Sequence, residues 1–131
     1  MKNVPTSALG DMYREHIKLI LDKDIDGLLN QYASDAVLIS SFEKVPKYFR
    51  GHEELKEHFK GILGIEGLET EIAFWAETES PRTLMIVEAI TLQAGGGVAT
   101  MRFADSWVLD DEGRIKIHFA GMTQYPDGSV A

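Results

Sequence analysis

The chain has 131 residues, no cysteine, 44% hydrophobic residues and a formal net charge of −8. That length accommodates one domain with a core of its own, and the lack of cysteine excludes disulfides and thiolate metal sites. The acidic balance, with its basic residues scattered, argues against a nucleic-acid partner, and no apolar run approaches the ~20 residues that span a bilayer.

The N-terminal MKNVPTSALGD has no apolar stretch of the signal-peptide kind, so a cytoplasmic address is expected. From Ser7, a suitable N-cap, Met12, Tyr13, His16, Ile17, Ile20 and Leu21 recur with helical period. Asp24 can cap a second short helix, IDGLLNQYA. Residues 35–44, DAVLISSFEK, read as a strand that Pro46 breaks, with Tyr48-Phe49-Arg50 as a short returning strand. A third helix, HEELKEHFKGIL, follows Gly51. Beyond Gly64 come four β-like runs, 68–80, 82–94, 98–110 and 114–125. Ser80-Pro81, Gly95-Gly96-Gly97 and Asp111-Glu112-Gly113 separate them, and PDGSVA reads as a loose tail. Helices first and an antiparallel meander after them predict an α+β fold, with the helices packed on one face of a curved sheet.

Alternation along the strands singles out three polar residues. In MRFADSWVL, Asp105 shares a face with Met101, Phe103 and Trp107, so its charge is either solvated at a sheet edge or held in a pocket. Glu88 shares a face with Leu84, Ile86, Ile90 and Leu92. A carboxylate there is costly to ionise unless paired, so it lines a pocket or belongs to a solvent-facing stripe. His118, on the face of Ala120 and Met122, can act as a general base if neutral. On neighbouring strands the three can form one functional cluster or a structural network. Trp75, Trp107, Phe74, Tyr13, Tyr32, Met101 and Met122 fall at core spacing, and some can line a pocket. Ile115, Ile117 and Phe119 alternate opposite His118, which leaves a second apolar face for a partner subunit to cover.

Other patterns fail. The histidines of HEELKEH are six residues apart and do not share a helix face, and no metal site is expected. Gly95–Gly97 opens no helix and so cradles no phosphate, and Ser40 and Ser41 lack the G-x-S-x-G elbow.

Three strings, KDIDGLLNQYASDAVLI (23–39), YFRGHEELKEHF (48–59) and FADSWVLDDEGRIKIH (103–118), make the chain resemble the nuclear transport factor 2-like superfamily, in particular its SnoaL-like and ketosteroid-isomerase-like members. The likeness runs over about residues 8–125, so the chain reads as one SnoaL-like domain, 1–131, with flexible tails. It implies a cystatin-like cone: a curved, antiparallel-rich mixed sheet wrapped around three N-terminal helices, an apolar pocket inside, and a homodimer formed through the sheet's outer face. By the same resemblance Asp105 takes the position of a pocket carboxyl that donates to a developing oxyanion. The alternative is a structural carboxylate, bridged for example to Arg102 or Arg50. His16 takes the place of a pocket tyrosine. Ser40 stands where the isomerases carry their base, and HFAG (118–121) matches the cyclases' H-W-D with Ala120 in place of the acid. The implied activity is cofactor-independent acid–base chemistry (isomerisation, cyclisation or dehydration) on a small apolar cyclic or polyketide-like substrate. Asp105, His16, His118 and Glu88 would carry it, with Tyr13, Trp75, Met101, Trp107, Met122 and Ser40 lining the ligand. A non-catalytic ligand-binding or dimeric assembly module on the same fold is the alternative.

Overall fold

A computed structural model describes residues 1–94 and 96–131. Three helices, α1 (Ala8–Leu21), α2 (Ile25–Asn30) and α3 (Gly51–Ile62), accompany six strands. These are β1 (Tyr32–Ser40), β2 (Lys47–Arg50), β3 (Glu66–Glu79), β4 (Arg82–Ala94), β5 (Gly97–Leu109) and β6 (Ile115–Gln124). All six form one sheet in the order β2-β1-β6-β5-β4-β3. Only β1 and β6 run parallel; every other pair is antiparallel. The α+β architecture, a curved mixed sheet holding the helices on its inner face, is the one the sequence predicts.

Local chemistry sets the helix ends. Ser7 accepts the Gly10 N–H at 2.9 Å and Asp24 accepts the Gly27 N–H at 2.9 Å, each satisfying an otherwise unpaired first-turn donor. From α1, Leu9, Tyr13, Ile17 and Ile20 are buried with Leu28 of α2 and Leu55 and Phe59 of α3. They pack on Leu38, Leu84, Ile86, Trp107 and Leu109 of the sheet. A second apolar cluster, Leu92, Met101, Phe103, Met122 and Tyr125, sits toward the other end of the long strands. Among the described residues no helix is long and apolar enough to cross a membrane.

Several expectations need correction. The first strand begins at Tyr32 rather than Asp35 and ends at Ser40, and the short second helix stops at Asn30. Gln31 accepts the Ile115 N–H at 2.8 Å, so pairing with β6 draws Gln31 and Tyr32 out of the helix. Ile115 points inward and is fully buried, because a bulge lets Val108 pair with Ile117 but Leu109 with Ile115. Phe74, expected in the core, is exposed: a second bulge after Ile72 turns it outward and Trp75 inward. Beside the strands, Lys2 bridges Glu71 and Val130 bridges Gln124. The glycine turn between β4 and β5 falls partly on Gly95, outside the described residues.

Two helical glycines give opposite predictions. A Cβ on Gly10 would lie 2.0 Å from the Pro5 carbonyl oxygen, whereas a Cβ on Gly61 meets nothing within 4 Å. Gly61→Ala is expected to gain about 0.5–1 kcal/mol from helix propensity. Gly10→Ala, which must displace backbone, is expected to lose about 1–3 kcal/mol. Urea unfolding of the two variants beside the parent checks both signs.

Candidate functional site

The helices do not fill the inner face of the sheet. Between α1, α3 and strands β4, β5 and β6 lies a cavity of about 80 Å³. Most of its wall is apolar, including Ile17, Ile20, Leu38, Phe59, Ile86, Phe103 and Trp107. Into this wall project six titratable residues: Tyr13, His16, His58, Glu88, Asp105 and His118. A larger apolar recess of about 280 Å³ adjoins it, sharing Ile20, Phe42, Ile62, Leu68, Ile90 and Phe103 and adding Leu92, Met101 and Met122.

Strand register explains the polar wall. Ile86 pairs with Asp105 and Glu88 with Phe103, so the two carboxyls stand diagonally on the inner face of adjacent strands. Asp105 pairs with Ala120 and Trp107 with His118, which sets His118 diagonally on the other side of Asp105. The His118 Nε2 lies 2.8 Å from Asp105 Oδ1, and its Nδ1 lies 2.7 Å from the Tyr32 hydroxyl. With Asp105 ionised, Nε2–H donates to the carboxylate and Nδ1 accepts from Tyr32. The Tyr32 carbonyl is itself 2.9 Å from His52 Nε2. On the opposite side the Tyr13 hydroxyl donates to Glu88 Oε2. His16 Nδ1 is 2.9 Å from Gln31 Oε1, while Gln31 Nε2 donates to the Met12 carbonyl at 3.1 Å. The rings pack closely: His16 meets Trp107 edge-on at 5.1 Å, and the two histidine rings, His16 and His118, are 6.2 Å apart.

Burial, and then the nearby Asp105 charge, push the Glu88 carboxyl up to about 8; the Tyr13 bond opposes them. Burial also lowers His16 to about 4, with His118 adding to the effect and Gln31 opposing it. His58 falls to about 4 for the same first cause, again reinforced by His118. Tyr32 and Tyr13 are pushed up by burial, Tyr13 further by Glu88, so both hydroxyls stay protonated. Near neutral pH the cavity therefore holds neutral phenols, a neutral His16 and a Glu88 that is largely a carboxylic acid.

All four residues expected to do chemistry, Asp105, His16, His118 and Glu88, line this one cavity. Asp105 bonds to His118, not to an arginine; the Arg102 guanidinium instead bonds Gln124 at 3.1 Å. Of the residues expected to line a ligand, Tyr13 and Trp107 border the cavity, and Met101 and Met122 border the apolar recess. Trp75 does not: it stands behind Tyr13, ring centroids 5.7 Å apart, and donates to Glu77. Ser40 is buried but faces a separate groove of about 380 Å³ beyond Phe42 and His58. Sequence reading missed Tyr32, Gln31 and His58 as site residues. Only the pairing of β1 with β6 brings Tyr32 to His118, and no local pattern announces it. Among the described residues no three His, Asp or Glu side chains group as metal ligands.

Solved structures share this fold, three of them as follows. A putative SnoaL-like polyketide cyclase from Shewanella putrefaciens superposes with a TM-score of 0.71 at 11% identity, covering 90% of this chain and 91% of that one. The Delta 5-3-ketosteroid isomerase from Mycobacterium sp. gives 0.69 at 21% identity, over 86% and 95%. A Mycobacterium tuberculosis protein in complex with estradiol-17beta-hemisuccinate gives 0.68 at 17% identity, over 82% and 88%. No curated protein matches the sequence. The profile of the SnoaL-like domain matches residues 13–118, most of the chain and every polar residue of the cavity wall. The protein belongs to the SnoaL-like domain family.

Proposed function

We propose that the protein is a small-molecule enzyme of the SnoaL-like type that carries out cofactor-independent acid–base chemistry on an apolar cyclic substrate: isomerisation, cyclisation or dehydration. One observation carries this reading: two carboxyls, Glu88 and Asp105, stand diagonally in a single apolar cavity with different partners. Asp105 receives a ring N–H from His118, with its second oxygen unclaimed by that bond. Glu88 lies among aliphatic side chains with one phenolic partner and is kept as the acid. A carboxyl held as the acid beside one that accepts an imidazole N–H suits an acid and a base in one site. Asp105, through the oxygen His118 leaves free, takes a proton from the substrate, and Glu88 delivers one to a substrate oxygen. His118 has both nitrogens engaged, so it orients Asp105 and does not itself meet the substrate. This replaces the role of protonated donor that the resemblance suggests for Asp105, and it supplies a base although Ser40 faces another groove.

A second reading, a non-catalytic binder, is favoured by the fact that Glu88, Asp105 and His118 all have protein partners already. The two readings separate in heavy water. With a panel of cyclic ketones and phenols, the enzyme is expected to exchange deuterium at acidic carbon positions, followed by proton NMR. Asp105→Asn is expected to slow exchange at least about 100-fold. Ligand-induced thermal stabilisation with no exchange from any member would support the binder instead.

Glu88 also predicts a pH dependence of stability. Its pKa rises on folding to about 8, so between its unfolded value and 8 the folded state holds more protons than the unfolded state. Its contribution therefore falls as pH rises through that window and is most unfavourable above 8. His16 and His58, both lowered to about 4, act oppositely: their neutral forms favour folding increasingly from pH 4 to about 6.5. Glu88→Gln isolates the carboxyl. Relative to the parent, this variant is expected to gain thermal stability from pH 5 to 8, and a difference that stays flat would show that Glu88 ionises as freely when folded.

The chain also presents a patch suited to a homodimer. Phe74, Met85, Val87, Ile117 and Phe119 are exposed on the outer face of β3, β4 and β6, and the register joins them: Phe74 to Val87, Met85 through Ser106 to Phe119. An apolar sheet face of this kind calls for a cover. Sedimentation is expected to give a dimer for the parent and a folded monomer for Met85→Lys/Phe119→Lys; a monomeric parent would remove the proposal.

A further inference from the structure

The polar wall of the cavity also constrains the ligand's own chemistry, an inference that rests on the cavity's being the ligand site. Gln31 Nε2 donates to the Met12 carbonyl, which can only accept, so the opposite atom of that amide, Oε1, is the one facing His16. An amide oxygen can only accept. His16 Nδ1 must therefore carry the ring proton, and in the neutral ring Nε2 is left with a bare lone pair. Nε2 has no hydrogen-bond partner among the described residues. It is not sealed away as Thr70 Oγ1 is, and His16 is only 7% exposed, so the space it reaches is the cavity that it lines.

The wall's other donors, the Glu88 acid, the His58 ring and the Trp107 indole N–H, make no bond to His16 Nε2 among the described residues. Tyr13 spends its hydroxyl proton on Glu88, Tyr32 spends its own on His118, and both His118 nitrogens are engaged. Among the described residues no lysine, arginine or asparagine borders the cavity. A nearly enclosed acceptor is costly to leave unpaired when a ligand displaces water.

We propose that the ligand places a hydroxyl donor, a phenol, enol or alcohol, against His16 Nε2 at the inner end of the cavity, on a ring whose apolar remainder extends into the adjoining recess. The dimensions agree. A volume of about 80 Å³ holds roughly three waters at liquid density, room for the hydroxyl-bearing edge of a ring. The body of a larger molecule has to lie in the recess of about 280 Å³ lined by Met101, Phe103 and Met122.

The test compares three probes of one shape by calorimetry: 2-naphthol, 2-methoxynaphthalene and 2-tetralone. The parent is expected to bind 2-naphthol at least about ten-fold more tightly than either analogue lacking a donor. In His16→Phe that preference is expected to fall to about two-fold or less. Nitrogen-15 NMR of the histidines in the unmodified protein gives a second, independent reading. It is expected to show His16 neutral and protonated at Nδ1, with the Nε2 resonance moving when 2-naphthol binds. Equal affinities, a preference that survives in His16→Phe, or an Nε2–H tautomer would each overturn the proposal. Deuterium exchange recorded on the same samples separates the two claims. A hydroxyl preference without exchange leaves this inference standing and removes the catalytic one; no binding by any probe overturns both.

Discussion

The chain of hydrogen bonds from Tyr32 through His118 to Asp105 is the constraint around which the site is organised. It joins the first, sixth and fifth strands, and it exists only because β1 lies parallel to β6 with Tyr32 opposite Ile115. A carboxylate on the inner face of a sheet would otherwise take up a proton or drive the fold open. Here an imidazole N–H holds it, and a buried phenol in turn fixes the imidazole's other nitrogen. The helices supply the complementary half. Tyr13 and His16 come from one face of α1, three residues apart, and reach Glu88 and the cavity.

Much of this was legible in the sequence because strands have a period of two. Alternation alone put Glu88 with Leu84 and Ile86, Asp105 with Phe103 and Trp107, and His118 with Ala120, and each set does face inward. What period two cannot show is where it slips. The bulges near Ile72 and Val108 reversed the reading of Phe74 and Ile115, and neither carries a glycine or proline signal at the slip itself. Tyr32 was hidden differently: it sits at the end of a helix-like string, and its partner is 86 residues away. Gln31 looked like an ordinary surface residue of a short helix, yet it is the group that decides which nitrogen of His16 is protonated.

On the proposed reading, this member of the family has redistributed a common set of parts. Ser40 occupies the strand position of an isomerase base but faces a groove on the far side of Phe42. Ala120 leaves room beside Asp105, the residue it pairs with, in place of the acid of the cyclase motif. The acid–base pair then sits on β4 and β5, strands paired on both sides.

The split between the inner chamber and the outer recess separates two properties that most pockets tie together. On the proposed reading proton chemistry rests on residues locked by mutual hydrogen bonds, whereas the recess is walled by leucine, isoleucine, phenylalanine and two methionines. Those unbranched thioether side chains adjust to new shapes at little cost. The range of molecular skeletons admitted can therefore drift through substitutions at Leu92, Met101 and Met122 while the reacting end is handled as before. Such a scaffold is well placed to diversify its clientele, in evolution or in the laboratory, without rebuilding its machinery.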